Sequence, residues 1–208
     1  MMKTNNPYDQ KYAAEEFYWG KQPSAMCDRI IEIFKASLDN HPKLLDLGCG
    51  EGRNAVYFAK HGFEVTALDA SLPGLQKTES YAREVGVNVR TIQADILSYE
   101  LKDTYDVIFS TGTLQYLPPD VRNKHYQNYK VSTSPNGING LSVFVQKPFI
   151  ARAPDAEDTA YLYKSGELLG YYWDWEILFC TQEIFDCMSS GIPHKHATDR
   201  IIAKKREV

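Results

Sequence analysis

The stretch Leu44–Asn54 is the strongest indication of the fold in this sequence, and it reads Leu-Leu-Asp-Leu-Gly-Cys-Gly-Glu-Gly-Arg-Asn. The run from Lys43 to Leu47 is apolar and has the length of a buried strand. Three glycines follow it at alternate positions, and the residues after Asn54 are compatible with a helix. Because glycine adopts backbone angles and close approaches that side chains forbid, this strand, turn and helix bring backbone N–H groups close to a ligand. The stretch therefore predicts a ligand-binding turn in an α/β fold.

Apolar segments alternate with amphipathic segments on both sides of this turn. The predicted parallel strands are Lys43–Leu47, Phe63–Asp69, Val87–Ile92, Tyr105–Ser110 and Ile138–Gln146. Strands that alternate with helices indicate a parallel sheet covered on both faces. After Lys147 the pattern changes, because Trp175–Thr181 and Ala197–Lys204 have no helix between them and are joined through Phe185–His196. They predict an antiparallel hairpin on one edge of the sheet.

The chain has the length of one domain, and residues 1–208 are predicted to form it. Residues 43–147 are its ligand-binding core, and residues 148–208 form a hairpin region on the substrate side. Residues 1–22 are an aromatic lid segment. In that segment Tyr8, Tyr12, Glu15 or Glu16, and Trp19 follow one another at spacings of three or four residues. One continuous helix would therefore place them on one face. These aromatic side chains either pack on the core or close over a ligand, with Tyr12 on the substrate side.

Composition and charge exclude several classes of partner. The net charge is −4 and there is no long Lys/Arg run, whereas sequence-independent nucleic-acid binding needs a basic surface. No stretch approaches the roughly 20 apolar residues of a membrane span, and no signal peptide is seen. The four cysteines form no Cys-x-x-Cys pair, which is typical of reduced thiols. We expect a cytoplasmic monomer or homodimer that acts on a small molecule and binds neither nucleic acid nor membrane.

Two kinds of ligand compete for the glycine turn. In the dinucleotide fingerprint the last glycine falls where this chain has Arg53, which would crowd the contact between helix and strand. Asp69 ends the second strand, where a carboxylate can accept both ribose hydroxyls. Asp95 ends the third strand, where a carboxylate can accept from an adenine amine. Asp46 can receive a cationic amino group, and with Glu51 the cleft carries four acids. Such a ring suits a cationic nucleoside better than an anionic dinucleotide.

These motifs resemble those of the class I S-adenosylmethionine-dependent methyltransferases. The residues that carry the resemblance are Asp46–Gly52, the two spaced acids and the terminal hairpin. Within that class the chain is similar to the tellurite-resistance-type methyltransferases, which share Arg53-Asn54 after the glycine turn. They also share Gly166-Glu167-Leu168, which leads into the segment Tyr171–Glu176. The resemblance implies a three-layer, doubly wound, mostly parallel seven-stranded sheet with a C-terminal antiparallel hairpin, the Rossmann-like methyltransferase fold.

The resemblance also implies the cofactor S-adenosylmethionine, with S-adenosylhomocysteine as product, and a set of residues around it. The predicted cofactor-binding residues are Tyr8, Trp19, Asp46, Gly48, Gly50, Arg53, Asn54, Asp69, Ala70, Asp95, Ile96 and Thr111. The structural alternative for Asp69 and Asp95 is helix capping, and for Arg53 it is a surface charge on the first helical turn.

The chain departs from these relatives at their proposed catalytic His-Arg pair, where it has Phe185-Asp186. The nearest substitutes are His194, His196 and Arg200, which we predict as catalytic, with Arg152 as a substrate contact. A tellurium oxyanion is therefore not implied as the substrate. The sequence predicts methyl transfer to a small anionic or soft acceptor, such as a thiol, chalcogen oxyanion or heterocycle. His194-x-His196 with Cys187 lacks an obvious fourth ligand, so no metal is predicted.

Two other functions stay open from the sequence. One is a protein that binds the cofactor without transferring a methyl group. The other is a nicotinamide-dependent oxidoreductase, which Arg53 and the late hairpin disfavour.

Overall fold

The computed structural model describes residues 6–154, 160–188 and 191–206. Residues 1–5 of the predicted lid segment, and residues 155–159, 189–190 and 207–208 of the predicted hairpin region, lie outside the described residues. No helix in these ranges is long and apolar enough to cross a membrane.

The described chain forms a seven-stranded sheet in the order β3-β2-β1-β4-β5-β7-β6. The strands are β1 Lys43–Leu47, β2 Glu64–Asp69, β3 Val89–Gln93, β4 Tyr105–Thr111, β5 Thr133–Phe144, β6 Glu176–Cys187 and β7 His194–Lys204. The α-helices are α1 Tyr8–Ala13, α2 Ala25–Phe34, α3 Arg53–Lys60, α4 Leu72–Glu84, α5 Pro119–Val131 and α6 Glu167–Gly170. Strands β1 to β5 pair in parallel, and β7 pairs antiparallel with both β5 and β6. The predicted doubly wound sheet with its C-terminal hairpin is confirmed.

Two apolar clusters lie on opposite faces of the sheet. Because successive side chains of a strand point to opposite faces, Leu44 joins one cluster and Leu45 joins the other. Ile30 of α2 and Phe58 of α3 cover the first face. Tyr126 of α5 packs on the second face. Burial of this central strand on both sides explains why the adjacent residues Leu44 and Leu45 are both apolar, with no alternation of apolar and polar residues.

The chain reverses its direction across the sheet between β1 and β4. From β1 it proceeds outward through β2 to β3, and it then returns to the other side of β1 as β4. In open α/β sheets a crevice for ligands forms at such a point, outside the carboxyl ends of the strands. The turns that follow Leu47 and Thr111 therefore border this crevice.

The predicted lid helix is shorter than expected. Helix α1 ends at Ala13, and Ala14 is extended, so Trp19 does not lie on the same helix as Tyr8 and Tyr12. The chain instead turns back, and the Trp19 backbone N–H donates to Glu51 at 3.3 Å. A tertiary contact thus overrides the helical spacing, and the prediction of one continuous helix was wrong.

The C-terminal hairpin is longer than the sequence indicated. Residues 185–196 were predicted as the connection, but β6 continues to Cys187 and β7 begins at His194. Phe185 pairs with His196 in register. Backbone pairing between the two strands explains the difference, because ladder hydrogen bonds form regardless of the polar side chains that weaken the sequence pattern.

The Gly-Glu-Leu motif has a structural role in this fold. Glu167 accepts a 2.6 Å hydrogen bond from the guanidinium of Arg122, which is only 1% exposed. The same guanidinium lies 3.6 Å from the ring centroid of Tyr163. A buried arginine is stable only when it is paired, so Glu167 and Tyr163 fix α5 to the segment before β6.

Candidate functional site

The glycine turn after β1 is shaped by close backbone contacts. Gly48 has a φ of 71°, and its N–H donates to the Leu68 carbonyl at 2.7 Å. A Cβ atom on Gly48 would lie 2.0 Å from Oγ1 of Thr113, which follows β4. Glycine is therefore required here both for the backbone angle and for the approach of the two turns that border the crevice.

Asp69 holds this turn from the end of the neighbouring strand. Its Oδ2 accepts the Gly50 N–H at 2.8 Å, and its Oδ1 accepts the Ser71 N–H at 2.8 Å. Burial raises the pKa of Asp69, while these N–H groups lower it. The two bonds fix the plane of the carboxylate, and each oxygen keeps a further lone pair for a ligand hydroxyl. The capping alternative and the ligand role are thus compatible.

Asp46, before the turn, carries a buried carboxylate. The residue is 1% exposed, and within the part of the chain that the structure describes its Oδ2 has no hydrogen-bond partner. Desolvation by burial, followed by the charge of Asp69, raises the pKa of Asp46 to about 7. Arg53 and the backbone N–H of Ala55 act in the opposite direction. A buried acceptor in this condition suits a cationic donor, because an unpaired buried polar group costs about 1–3 kcal/mol.

Asp9 of the lid segment is a residue that the sequence analysis missed. Its Oδ1 is buried and has no hydrogen-bond partner in the described ranges 6–154, 160–188 and 191–206, and its charge raises the pKa of Asp69. The side chain therefore brings a further negative charge close to the glycine turn. Nothing in the sequence indicated this, because Asp9 lies on an aromatic helix far from the motif along the chain.

Three more predicted cofactor-binding residues follow the ends of β2 and β3, namely Ala70, Asp95 and Ile96. Asp95 is exposed, and its Oδ1 accepts the Leu97 N–H at 2.9 Å, which is the capping contact of a turn. Ile96 is buried, and the Ala70 carbonyl accepts a bond from Gln93 at 3.3 Å. Their predicted contacts with an adenine ring stay predictions.

Arg53 and Asn54 connect the turn to other elements. The Arg53 guanidinium donates to the Trp19 carbonyl at 3.2 Å, so it contacts the lid segment. The Asn54 Oδ1 accepts the Ser24 N–H at 2.9 Å, and its Nδ2 donates to Oγ1 of Thr111 at 3.3 Å. Asn54 therefore positions the start of α2 and the end of β4, and its predicted cofactor contact stays a prediction.

Glu51 does not belong to the acidic ring that the sequence suggested. Its Oε1 lies 2.7 Å from the Lys77 ammonium, and the side chain is 3% exposed. A buried carboxylate that already has a cationic partner is not available to a cationic ligand, so this prediction was wrong. Lys77 also donates to the Glu16 carbonyl at 2.6 Å. Lys77, which was not among the predicted site residues, thus attaches the lid segment to α4.

Aromatic side chains of the lid segment cover the glycine turn. Tyr12 is buried, and a Cβ atom on Gly50 would lie 2.9 Å from its hydroxyl oxygen. The Trp19 indole N–H donates to this hydroxyl at 3.2 Å. Tyr8 stacks on Tyr12 with ring centroids 5.3 Å apart, and the Tyr8 and Tyr116 hydroxyls lie 2.9 Å apart. The lid segment thus spans from the glycine turn to the residues after β4.

The three predicted catalytic residues do not come together as a group. His194 and His196 do, with their Nε2 atoms 2.9 Å apart. Arg200 lies four residues further along β7, about 13 Å away along the strand. Its guanidinium pairs with Glu183 at 2.5 Å. The position of Arg200 along β7 therefore separates it from the two histidines, and its predicted catalytic role stays a prediction. Arg152 is exposed on the loop after β5, and its substrate role stays a prediction.

Comparisons with known proteins match nearly the whole chain. The family model described as tellurite resistance protein TehB matches residues 11–191. A relative from Haemophilus influenzae, described as a probable S-adenosyl-L-methionine-dependent methyltransferase TehB, is 27% identical over 167 residues. That match covers 80% of this chain but only 57% of the relative, so the chain spans little more than half of that protein's length.

Solved structures agree with the observed fold. The crystal structure of TehB from Haemophilus influenzae superposes with a TM-score of 0.74 at 23% identity, covering 96% of this chain and 66% of that one. A structure of a methyltransferase dependent on S-adenosylmethionine, from Methanosarcina mazei, gives a TM-score of 0.67 at 21% identity. It covers 85% of this chain and 98% of that one. At these identities the superpositions show a shared fold. The match to the family model over residues 11–191 shows that the chain belongs to the TehB tellurite resistance protein family.

Proposed function

We propose that this chain is an S-adenosylmethionine-dependent methyltransferase acting on a small anionic or soft acceptor. The proposal rests mainly on the buried Oδ2 of Asp46 beside the glycine turn, which has no hydrogen-bond partner among the described residues. The ammonium group of the cofactor's amino acid moiety would supply the missing donor, whereas the phosphates of a dinucleotide would be repelled by Asp46 and Asp69. Membership of the TehB family and the printed description of the Haemophilus relative support the same cofactor.

The carboxylates suit distinct parts of this cofactor. Asp69 is oriented by two backbone N–H groups and retains lone pairs for two ribose hydroxyls. Asp46 offers the buried acceptor for the amino group. Asp95 at the end of β3 is proposed to accept from the adenine amine. The negative charge of Asp9 adds to the attraction for a sulfonium cation.

When bound, S-adenosylmethionine supplies a methyl group already activated by its positive sulfur. The residues of this chain then have to align the acceptor and exclude water. Tyr8, Tyr12 and Trp19 suit the second task, since they already lie over the glycine turn in mutual contact. A thiolate or oxyanion acceptor needs no strong base, which agrees with the absence of the relatives' His-Arg pair at Phe185-Asp186.

The acceptor is proposed to bind at the carboxyl end of β5, where the antiparallel strand β7 begins. His196 lies there, with its ring 4.8 Å from that of Phe144. Gly112 follows β4, and a Cβ atom on it would lie 3.8 Å from Cε2 of the same phenylalanine. These contacts support the proposal that His196 lies beside the crevice, on the side of β1 opposite Asp69. Arg152 is proposed to add a cation on the adjoining loop, and Arg200, which pairs with Glu183, stays a predicted catalytic residue.

Calorimetry with S-adenosylhomocysteine and with NAD tests the cofactor assignment. We expect the nucleoside to bind and to raise the melting temperature, because a ligand that binds only the folded state stabilises it. NAD is expected to do neither. Binding of NAD alone would make the oxidoreductase alternative correct and the proposal wrong.

An acceptor screen tests the transfer reaction. Small thiols, chalcogen oxyanions and heterocycles are incubated with S-adenosylmethionine, and formation of S-adenosylhomocysteine is measured. We expect turnover with at least one anionic or soft acceptor. Tight binding of the cofactor without turnover in the whole screen would favour the protein that only binds it. A cytoplasmic location, a monomer or homodimer, and the absence of a nucleic-acid partner are retained as predictions from composition.

A further inference from the structure

The tip of the β6–β7 hairpin brings together three side chains that can bind a metal ion. Cys187 and His194 are direct cross-strand partners, and His196 lies two residues further along β7. Cross-strand partners and alternate residues share a face of a sheet, so all three side chains point the same way. One ligand atom from each lies within 4.8 Å of the other two, and all three residues are half-buried.

The hydrogen bonds of His194 match those of a metal ligand. Its Nδ1 lies 2.8 Å from the Ile192 carbonyl, which can only accept, so Nδ1 carries the proton. In the neutral ring Nε2 then carries a lone pair, and it points toward Nε2 of His196 at 2.9 Å. Histidines that bind metals almost always donate their other N–H to a carbonyl or carboxylate in this manner.

Aromatic side chains fix the orientation of the second imidazole. The ring centroid of His196 lies 4.8 Å from that of Phe144 and 5.7 Å from that of Phe185. With bonds of about 2.0–2.1 Å to zinc, two nitrogens in a tetrahedral site are about 3.3 Å apart. The observed separation of 2.9 Å therefore needs to open by only a few tenths of an ångström.

We propose that Cys187, His194 and His196 bind a zinc ion whose fourth position takes a thiolate acceptor. Two imidazoles and one thiolate are ligands that favour zinc, and three protein ligands with an open position are typical of catalytic rather than structural sites. No metal was predicted from the sequence because no fourth protein ligand was evident. A site with an open position needs only three protein ligands. The role of the zinc in methyl transfer rests on the proposed function.

The reaction balances without a redox partner. The acceptor thiol loses its proton to solvent when its sulfur binds the metal. The sulfur then forms a bond to the methyl carbon of S-adenosylmethionine. The bond from that carbon to the sulfonium breaks, and its electron pair stays on the cofactor sulfur. The products are a methyl thioether and S-adenosylhomocysteine, and the weakly basic thioether leaves the metal.

Metal binding is tested on the full chain after treatment with a chelator. We expect calorimetry to give one zinc per chain, and we expect cobalt to give a sulfur-to-metal charge-transfer band. The variants Cys187→Ser and His196→Gln are expected to lose affinity by at least about 10-fold, with loss of the band in the cysteine variant. Cys180→Ser is the matched control, since Cys180 is an exposed cysteine of the same strand, and it should bind as the wild type does.

Two measurements distinguish a failure of the zinc proposal from a failure of the proposed methyltransferase function. Circular dichroism and S-adenosylhomocysteine binding should be unchanged in the Cys187 and His196 variants, which shows that they fold. If these folded variants bind zinc as tightly as the wild type, the site is wrong. If zinc binding is lost but methylation of a small thiol such as 2-mercaptoethanol continues at the wild-type rate, the catalytic role is wrong. Failure of the wild type to bind S-adenosylhomocysteine would instead refute the proposed function and leave the zinc result standing.

Discussion

The backbone N–H of Gly50 donates a 2.8 Å hydrogen bond to Oδ2 of Asp69, so one carboxylate both shapes the glycine turn and borders the crevice beside it. The bond joins the turn after β1 to the end of β2. Ser71 fixes the other oxygen of the same carboxylate. Asp69 is therefore oriented before any ligand arrives, which lowers the entropy cost of binding.

Replacing Asp69 by Ala should weaken S-adenosylhomocysteine binding by about 10- to 100-fold, because hydrogen bonds to a charged group contribute about 1.5–3 kcal/mol. Calorimetry measures the change. Asp106→Ala is the matched control. This carboxylate accepts the Lys43 N–H at 2.8 Å, at the starts of β4 and β1, which lie at the other end of the strands from the crevice. Equal losses in the two variants would assign the effect to general destabilisation and not to a ribose contact.

Asp46 should make the stability of the ligand-free protein depend on pH. Its pKa of about 7 in the fold exceeds the ordinary value of 3.8, so between these values the folded state binds a proton that the unfolded chain does not. The free energy of unfolding should therefore fall as the pH rises from about 4 to about 7. Asp46→Asn should reduce this slope, leaving the smaller contribution of Asp69, and stabilise the free protein above pH 7 by about 1–3 kcal/mol, measured by denaturant titration.

The same carboxylate should make cofactor affinity depend on pH in the opposite direction. A cationic amino group prefers the ionised form, so S-adenosylhomocysteine affinity should rise as the pH increases to about 7 and then level off. Calorimetry in two buffers of different ionisation enthalpy should detect release of a proton on binding. In Asp46→Asn the affinity should be lower and nearly independent of pH. An unchanged pH profile in this variant would exclude Asp46 as the amino-group acceptor.

Lys77 should control how firmly the lid segment is held. Lys77→Met removes the bonds to Glu51 and to the Glu16 carbonyl, so hydrogen exchange in residues 14–20 should become faster by about tenfold or more. The double variant Lys77→Met with Glu51→Gln avoids leaving a buried unpaired charge and should show the same faster exchange. Lys35→Met is the control, because its pair with Glu32 is exposed on both sides. Unaltered exchange in both lid variants would contradict this role.

Two glycines that lack positive φ angles should respond oppositely to alanine. In Gly74→Ala the new Cβ would lie 2.7 Å from the Gly50 carbonyl oxygen and 2.9 Å from Cδ2 of Tyr12. We expect this variant to lose about 1–3 kcal/mol of stability and part of its cofactor affinity. A Cβ on Gly170 meets nothing within 4 Å, so Gly170→Ala should be neutral or up to about 1 kcal/mol more stable. Thermal denaturation and calorimetry would measure both, and a stable Gly74→Ala protein with full affinity would show that α4 can shift.

Local signals in the sequence were sufficient to predict the layout of the sheet and the position of the glycine turn. Apolar runs with glycine turns between them are such signals, and β1 to β4 lie within two residues of their predicted bounds, whereas β5 begins at Thr133, five residues before its predicted start. The positions of Asp46, Asp69 and Asp95 near the ends of three strands were also predictable, because the end of a strand is marked by the residue types around it.

Which acids are open to a ligand, and where the histidines lie, depends on contacts between residues that are distant along the chain. The residues around Glu51 do not distinguish it from the other acids near the glycine turn. It differs because Lys77, which is distant in sequence, pairs with it. Arg200 is held by Glu183, and Cys187 meets His194 only because the hairpin extends beyond its apolar residues. Pairing across strands and between helices depends on register and packing, which a local pattern of residue types does not encode.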